Sequence, residues 1–141
     1  MLDPRDPAAV GAFIRACGLA VVSTVNHSRR PEAALVGVAA LEDGTLIFDT
    51  RRDSRKLDNL RLALHVALVV GWSDGVSLQI EGPAEIESGT QRDHYGRAYE
   101  NQLPGSRALD DAFAVVTVRP AWVRVYDATT DPPLMDEAWW R

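Results

Sequence analysis

A chain of 141 residues with 46% hydrophobic and 25% charged residues fits one globular domain with one core. Its net charge of -5 excludes general affinity for nucleic acid or for an anionic membrane surface. The lone cysteine, Cys17, excludes an internal disulfide. No apolar run approaches the roughly 20 residues that cross a bilayer, and the polar N-terminus does not resemble a signal peptide. The expectation is a soluble cytoplasmic protein, one domain over residues 1–141, without nucleic-acid or membrane partners.

Asp6 followed by Pro7 reads as a helix start, a capping carboxylate and then proline in the first turn. Val10, Phe13, Ile14 and Cys17 form one apolar face, and Gly18 stops the helix. Leu19–Val25 reads as a strand, Asn26–Pro31 as a turn, and Ala33–Leu41 as a strand apolar on both faces. Glu42-Asp43-Gly44 makes a hairpin into the strand Thr45–Asp49. A basic segment then leads into a helix with Leu57, Leu60 and Leu64 as its buried stripe.

His65–Trp72 and Val76–Glu87 read as the next strands, the second bent or bulged at Gly82-Pro83. Ser88–Asn101 reads as a helix, with Tyr95 and Tyr99 one turn apart, and Leu103-Pro104-Gly105 ends it. Phe113–Val118 and Ala121–Tyr126 are two further strands, and residues 127–141 read as an extended tail. The sum is a mainly β domain: a six- to seven-stranded antiparallel split barrel with about three short helices, its closure limiting exposed edges.

The chemistry concentrates at Arg51-Arg52-Asp53-Ser54-Arg55-Lys56, four positive charges and one negative where a strand hands over to a helix. The first turn of a helix favours acidic residues, because its free N–H groups carry partial positive charge. Arg55 and Lys56 there are unfavourable unless an anion is bound. A phosphate would accept from the free N–H groups, from the hydroxyls of Thr50 and Ser54, and from Arg55 and Lys56. The same residues also suit a solvated basic face paired with Asp53, Asp58 or Glu81.

His27, His65 and His94 share no ligand spacing with one another or with Cys17, so no metal site is expected. Cys17 reads as a core residue rather than a nucleophile. Trp122, Arg124 and Tyr126 alternate along the last strand and share a face, an anchor set for a partner or a flat ring, or a plain surface stripe. Ser77 and Gln79 likewise share a face of the fifth strand. No general acid or base stands out.

Phe48-Asp49-Thr50, Ser54-Arg55-Lys56, Asn59-Leu60-Arg61, the strand Val66–Val70 and the later Glu81-Gly82 resemble the pyridoxamine 5'-phosphate oxidase-like family of FMN-binding split barrels. The resemblance spans roughly residues 10–127. It implies a homodimer with FMN at the subunit interface. Arg55 and Lys56 would hold the phosphate, with Asp49 and Thr50 contacting the cofactor from the strand end. The strand carrying Ala34, Val36 and Val38 would lie against the flavin ring. The position matching Ser77 usually carries glutamine, a role Gln79 would take from the same face, and Tyr126 falls where the other subunit supplies an aromatic. The C-terminal motif that binds pyridoxal phosphate in the vitamin B6 oxidases is missing. The resemblance therefore implies an FMN-dependent oxidoreductase acting on an unspecified small-molecule substrate or electron donor. Its alternative is a non-catalytic module or sensor for flavin, deazaflavin or haem.

Overall fold

A computed structural model describes residues 1–140. Helix α1 spans Pro7–Cys17, and the Asp6 carboxylate accepts from the N–H groups of Ala8 and Ala9 at 3.1 and 3.2 Å. It ends at Gly18, whose φ of 69° is the left-handed conformation that glycine adopts without penalty. Strands β1 (Leu19–Val25) and β2 (Pro31–Gly37) form a hairpin, followed by the short β3 (Ala39–Ala40) and by β4 (Leu46–Arg51). Helix α2 (Arg55–Leu62), β5 (His65–Val70), β6 (Val76–Ile86) and α3 (Gly89–Gln102) come next. β7 (Phe113–Val118), β8 (Trp122–Asp127) and β9 (Leu134–Trp139) complete the chain.

The strands form one antiparallel sheet curled into a half-barrel, in the order β2-β1-β5-β6-β7-β4-β3, with β8 and β9 branching from β6. β6 makes the branch possible. Residues Val76–Glu81 pair with β8, and Ala84–Ile86 pair with β7. The change of partner falls at Gly82-Pro83, inside a strand that remains continuous. A Cβ on Gly82 would meet the Arg119 carbonyl oxygen at 2.2 Å, so only glycine lets the β7–β8 corner come this close.

The inner face carries the core: Val10 and Ile14 from α1, Leu57 and Leu60 from α2, and Val22, Phe48, Leu68, Ile80, Val116 and Val123 from the strands. A second cluster, Ile47, Val115, Ala108 and Tyr99, packs α3 against the other face of β4 and β7.

Four expectations need correcting. The run Ala33–Leu41 is two strands: β2 pairs with β1 and β3 with β4, and the chain changes partner at Val38. The tail is not merely extended, because Leu134–Trp139 adds a strand to β8, giving nine strands among the described residues. Arg5 anchors that strand with a two-pronged bond to Asp136 at 2.7 and 3.0 Å, and Trp140 donates its indole N–H to the Pro4 carbonyl at 2.8 Å. Leu64 lies beyond the end of α2 and is half exposed, so the buried stripe is Leu57 and Leu60 with Asn59 beside them. Cys17, at the exposed end of α1, is not a core residue; burial of its sulfur and the nearby Asp74 push its thiol up, which leaves it unactivated.

Candidate functional site

The strand-to-helix turn after β4 is built as a cradle. Ser54 caps α2, its hydroxyl accepting from the Leu57 N–H at 3.2 Å, and that hydroxyl lies 2.8 Å from Thr50 Oγ1. Arg55 and Lys56 are the first two residues of the helix, where no helical carbonyl reaches the backbone N–H groups. Their side chains border a cavity of about 270 Å³ whose other walls are Glu32, Ala33 and Ala34 of β2. A second cavity of about 240 Å³ adjoins it across Arg55 and Glu32, lined also by Asn26, His27 and Asn59. The cradle thus brings together Ala34, Thr50, Ser54, Arg55 and Lys56.

Glu32 is the residue the sequence reading missed. Its carboxylate is an ion-pair partner of Arg55 and accepts from Asn26 Nδ2 at 3.0 Å and from Asn59 Nδ2 at 2.9 Å. Asn59, itself buried, also donates to Thr24 Oγ1 at 3.0 Å. Those donors, Asn26 first and then Asn59 and Arg55, hold the Glu32 carboxyl below the usual range. The signal for Glu32 was its parity. Glu32, Ala34 and Val36 pair across the ladder with Thr24, Val22 and Ala20, so a charge stands at the head of an inward-facing row. The basic segment is partly paired, as a solvated basic face would be: Arg51 with Asp53 at 3.0 Å; Asp58 is taken instead by Arg61, outside the segment, at 3.7 Å. Glu81 makes no such pair among the described residues.

Asp49 and Thr50 are neighbours on a strand and so point to opposite faces. Thr50 joins the cradle. Asp49 instead accepts from the Tyr99 hydroxyl at 3.0 Å beneath α3. Burial pushes the Asp49 carboxyl up, against the lowering effect of that bond, and burial with the adjacent carboxylate also raises Tyr99.

Val36 and Val38 are buried, with their side chains in the core. The bond from the Val38 N–H to the Gly18 carbonyl at 3.0 Å sets the phase of the ladder. Even-numbered positions of β2 turn their backbone toward β1, and the outer edge belongs to Ala33, Leu35 and Gly37. Ala34 offers the cradle its methyl group rather than its backbone.

Ser77, Gln79 and Tyr126 lie elsewhere. β6 is three strands from β2, about 14 Å along the sheet. Ser77 pairs with Tyr126 and Gln79 with Arg124 on the outer face. On that face Val21 stands in register between Leu35 and Val69, and Val69 is opposite Gln79. Leu35 is 59% exposed, Val69 38% and Tyr126 41%. β9 flanks the whole Trp122–Arg124–Tyr126 row, with Trp139, Glu137 and Met135 opposite those residues, and the Trp122 indole donates to Glu137 at 2.9 Å. One chain therefore presents two groups of predicted residues, a cationic cradle and a polar-aromatic patch on an apolar sheet face.

Comparison with known proteins accords with this architecture. The chain is 29% identical over 117 residues to a pyridoxine/pyridoxamine 5'-phosphate oxidase of Gluconobacter oxydans, covering 77% of this chain and 54% of that protein, so it spans about half the length of that relative. Two solved structures share the fold. A pyridoxamine 5'-phosphate oxidase-related, FMN-binding protein from Nostoc punctiforme matches with a TM-score of 0.64 and 14% identity over 94% of this chain and 93% of that one. A heme-binding protein from Mycobacterium smegmatis matches with a TM-score of 0.78 and 17% identity over 99% of this chain and 60% of that one. The family model for pyridoxamine 5'-phosphate oxidase matches residues 7–127, which take in both the cradle and the sheet face, and the chain belongs to that family.

Proposed function

We propose that this protein is a homodimeric flavin-dependent oxidoreductase that holds FMN by its phosphoryl group at Arg55 and Lys56. The observation that carries the reading is that these two cations, the first two residues of α2, line one cavity together with Glu32, Ala33 and Ala34. Thr50 and Ser54 add hydroxyls at the same turn. Family membership and the FMN-binding relative support the choice of flavin. A deazaflavin presents the same kind of phosphoryl handle and is the alternative ring.

The dimer supplies what one chain separates. An isologous pairing through the outer sheet face would cover Leu35, Val69 and Val21 and carry one subunit's Ser77, Gln79 and Tyr126 toward its partner's cradle. The bound flavin supplies hydride or single-electron chemistry. The chain's own residues do the rest. Arg55 and Lys56 fix the phosphoryl group, the free edge of β2 at Ala33 and Leu35 offers backbone groups to the ring, and the apolar face excludes water.

The second reading, a binding or sensor module without turnover, draws on the heme-binding neighbour and on the removal of Asp49 from the cradle. One experiment separates the two. The flavin-loaded protein is mixed anaerobically with a reduced nicotinamide and then exposed to an electron acceptor. Bleaching of the flavin band followed by its return is expected; a flavin inert to the donor would favour the module.

A further inference from the structure

The last turn of α1 meets the β5–β6 turn at a cavity of about 320 Å³. Phe13 and Cys17, one turn apart on α1, line it with Leu19 of β1, and Gly71, Trp72 and Asp74 line it from the turn. Gly71 lets the two sides meet. Its φ is 81°, and a Cβ there would strike the Phe13 ring at 2.8 Å. The cavity is separate from the cradle. Leu19 pairs with Gly37, and about 13 Å of β2 runs from Gly37 to Ala33. The volume is at the lower end of the range for small-molecule sites.

Its lining is apolar with one charge. Trp72 and Leu19 are about half exposed, beside the partly buried ring of Phe13. A ligand that covers them removes apolar surface from water. Asp74 is the one charged residue among the described residues of the wall, and no ion pair of the described residues includes it. Its field reaches the cavity: after burial, Asp74 is the second cause that pushes the Cys17 thiol up, so the sulfur stays a neutral wall. An uncompensated carboxylate repels anions and attracts cations. A tryptophan ring adds to that choice, because its face attracts a cation and its surface stacks on another ring. We infer that this cavity is a second binding site, for a small aromatic amine in its ammonium form. The inference goes beyond the flavin reading and does not depend on it.

The test titrates the full nitrogen-labelled chain at neutral pH with three probes that share one ring and differ in charge: benzylamine, benzyl alcohol and benzoate. Amide shifts of Leu19, Gly71 and Ser73 report binding, with and without added FMN. Benzylamine is expected to saturate these shifts at about 1 mM or below, benzyl alcohol to bind more weakly, and benzoate not to bind. Asp74→Asn should weaken benzylamine about fivefold or more and leave benzyl alcohol unchanged. Trp72→Ala should weaken both. Added salt should weaken benzylamine alone. Equal affinity for the three probes, equal losses for amine and alcohol in Asp74→Asn, or no saturable shift at these amides would overturn the inference. So would a probe that binds the Val69→Asp variant but not the wild-type chain, because a second copy would then cover the cavity. None of these results bears on the cradle, whose own test is the binding of FMN.

Discussion

Replacing Arg55 and Lys56 together by alanine is expected to weaken FMN binding by about a hundredfold or more while leaving the fold intact. Each charge-assisted contact is worth roughly 1.5–3 kcal/mol, and every 1.4 kcal/mol is about a factor of ten. The double change also leaves Glu32 facing the phosphoryl group with no cation between them, which adds repulsion to lost attraction. Stability should barely move. The Arg55 side chain is 80% exposed, alanine is the best helix former, and removing cations from a first turn relieves an unfavourable interaction of about 0.3–1 kcal/mol with the helix dipole. Fluorescence titration gives the affinity, and a thermal melt of the ligand-free protein checks the fold. Unchanged affinity in a folded double variant would remove the cradle from the account.

The second large effect is expected at Val69→Asp. Val69 lies on the outer face of β5, between Val21 and Gln79, and is partly exposed in a single chain. An aspartate there costs an isolated subunit at most about 1 kcal/mol in strand preference. In an isologous interface it enters twice, and an uncompensated buried charge costs about 3–5 kcal/mol each time. The variant should run as a folded monomer at micromolar concentration and lose flavin, although the substitution is about two strand spacings from the cradle strand. Light scattering with an absorbance spectrum of the same peak reads both quantities. A monomer that keeps its flavin would separate the cofactor site from the dimer; a dimer unaffected by the charge would move the interface elsewhere.

Local rules made part of this molecule legible. The Asp6-Pro7 start and the Gly18 stop of α1 follow from capping chemistry alone, and Phe113–Val118 is a short apolar run, rich in β-branched residues, of strand length. The split of β2 from β3 left no trace, because Val38, Ala39 and Ala40 are buried on both sides of the break and only the hydrogen-bonding partner changes. β9 was hidden for the opposite reason. Leu134-Met135-Asp136-Glu137 is exposed edge, and its pairing depends on Arg5 and Pro4, more than 120 residues away.

The site divides in the same way. Ser54-Arg55-Lys56 announces itself as a charge conflict at a helix start, a strictly local signal. Glu32 reaches Arg55 only once the β1–β2 hairpin brings Asn26 and Thr24 beside α2. Asp49 and Thr50 look equivalent in sequence, yet strand alternation sends one under α3 and the other to the cradle. Ser77 and Gln79 share a face as expected, and the β6–β8 ladder sets Tyr126 beside them, but their distance from Arg55 depends on strand order, which no local pattern encodes.

The function proposed for this protein rests on a phosphoryl group bound at the start of α2, and its sharpest check is the absorbance spectrum of the protein as purified, with mass identification of whatever denaturation releases. The prediction is a visible flavin-type band and a released molecule that carries both the ring and a phosphoryl group. A colourless protein that also fails to take up FMN on incubation, or a released ligand with no phosphoryl group, would contradict it.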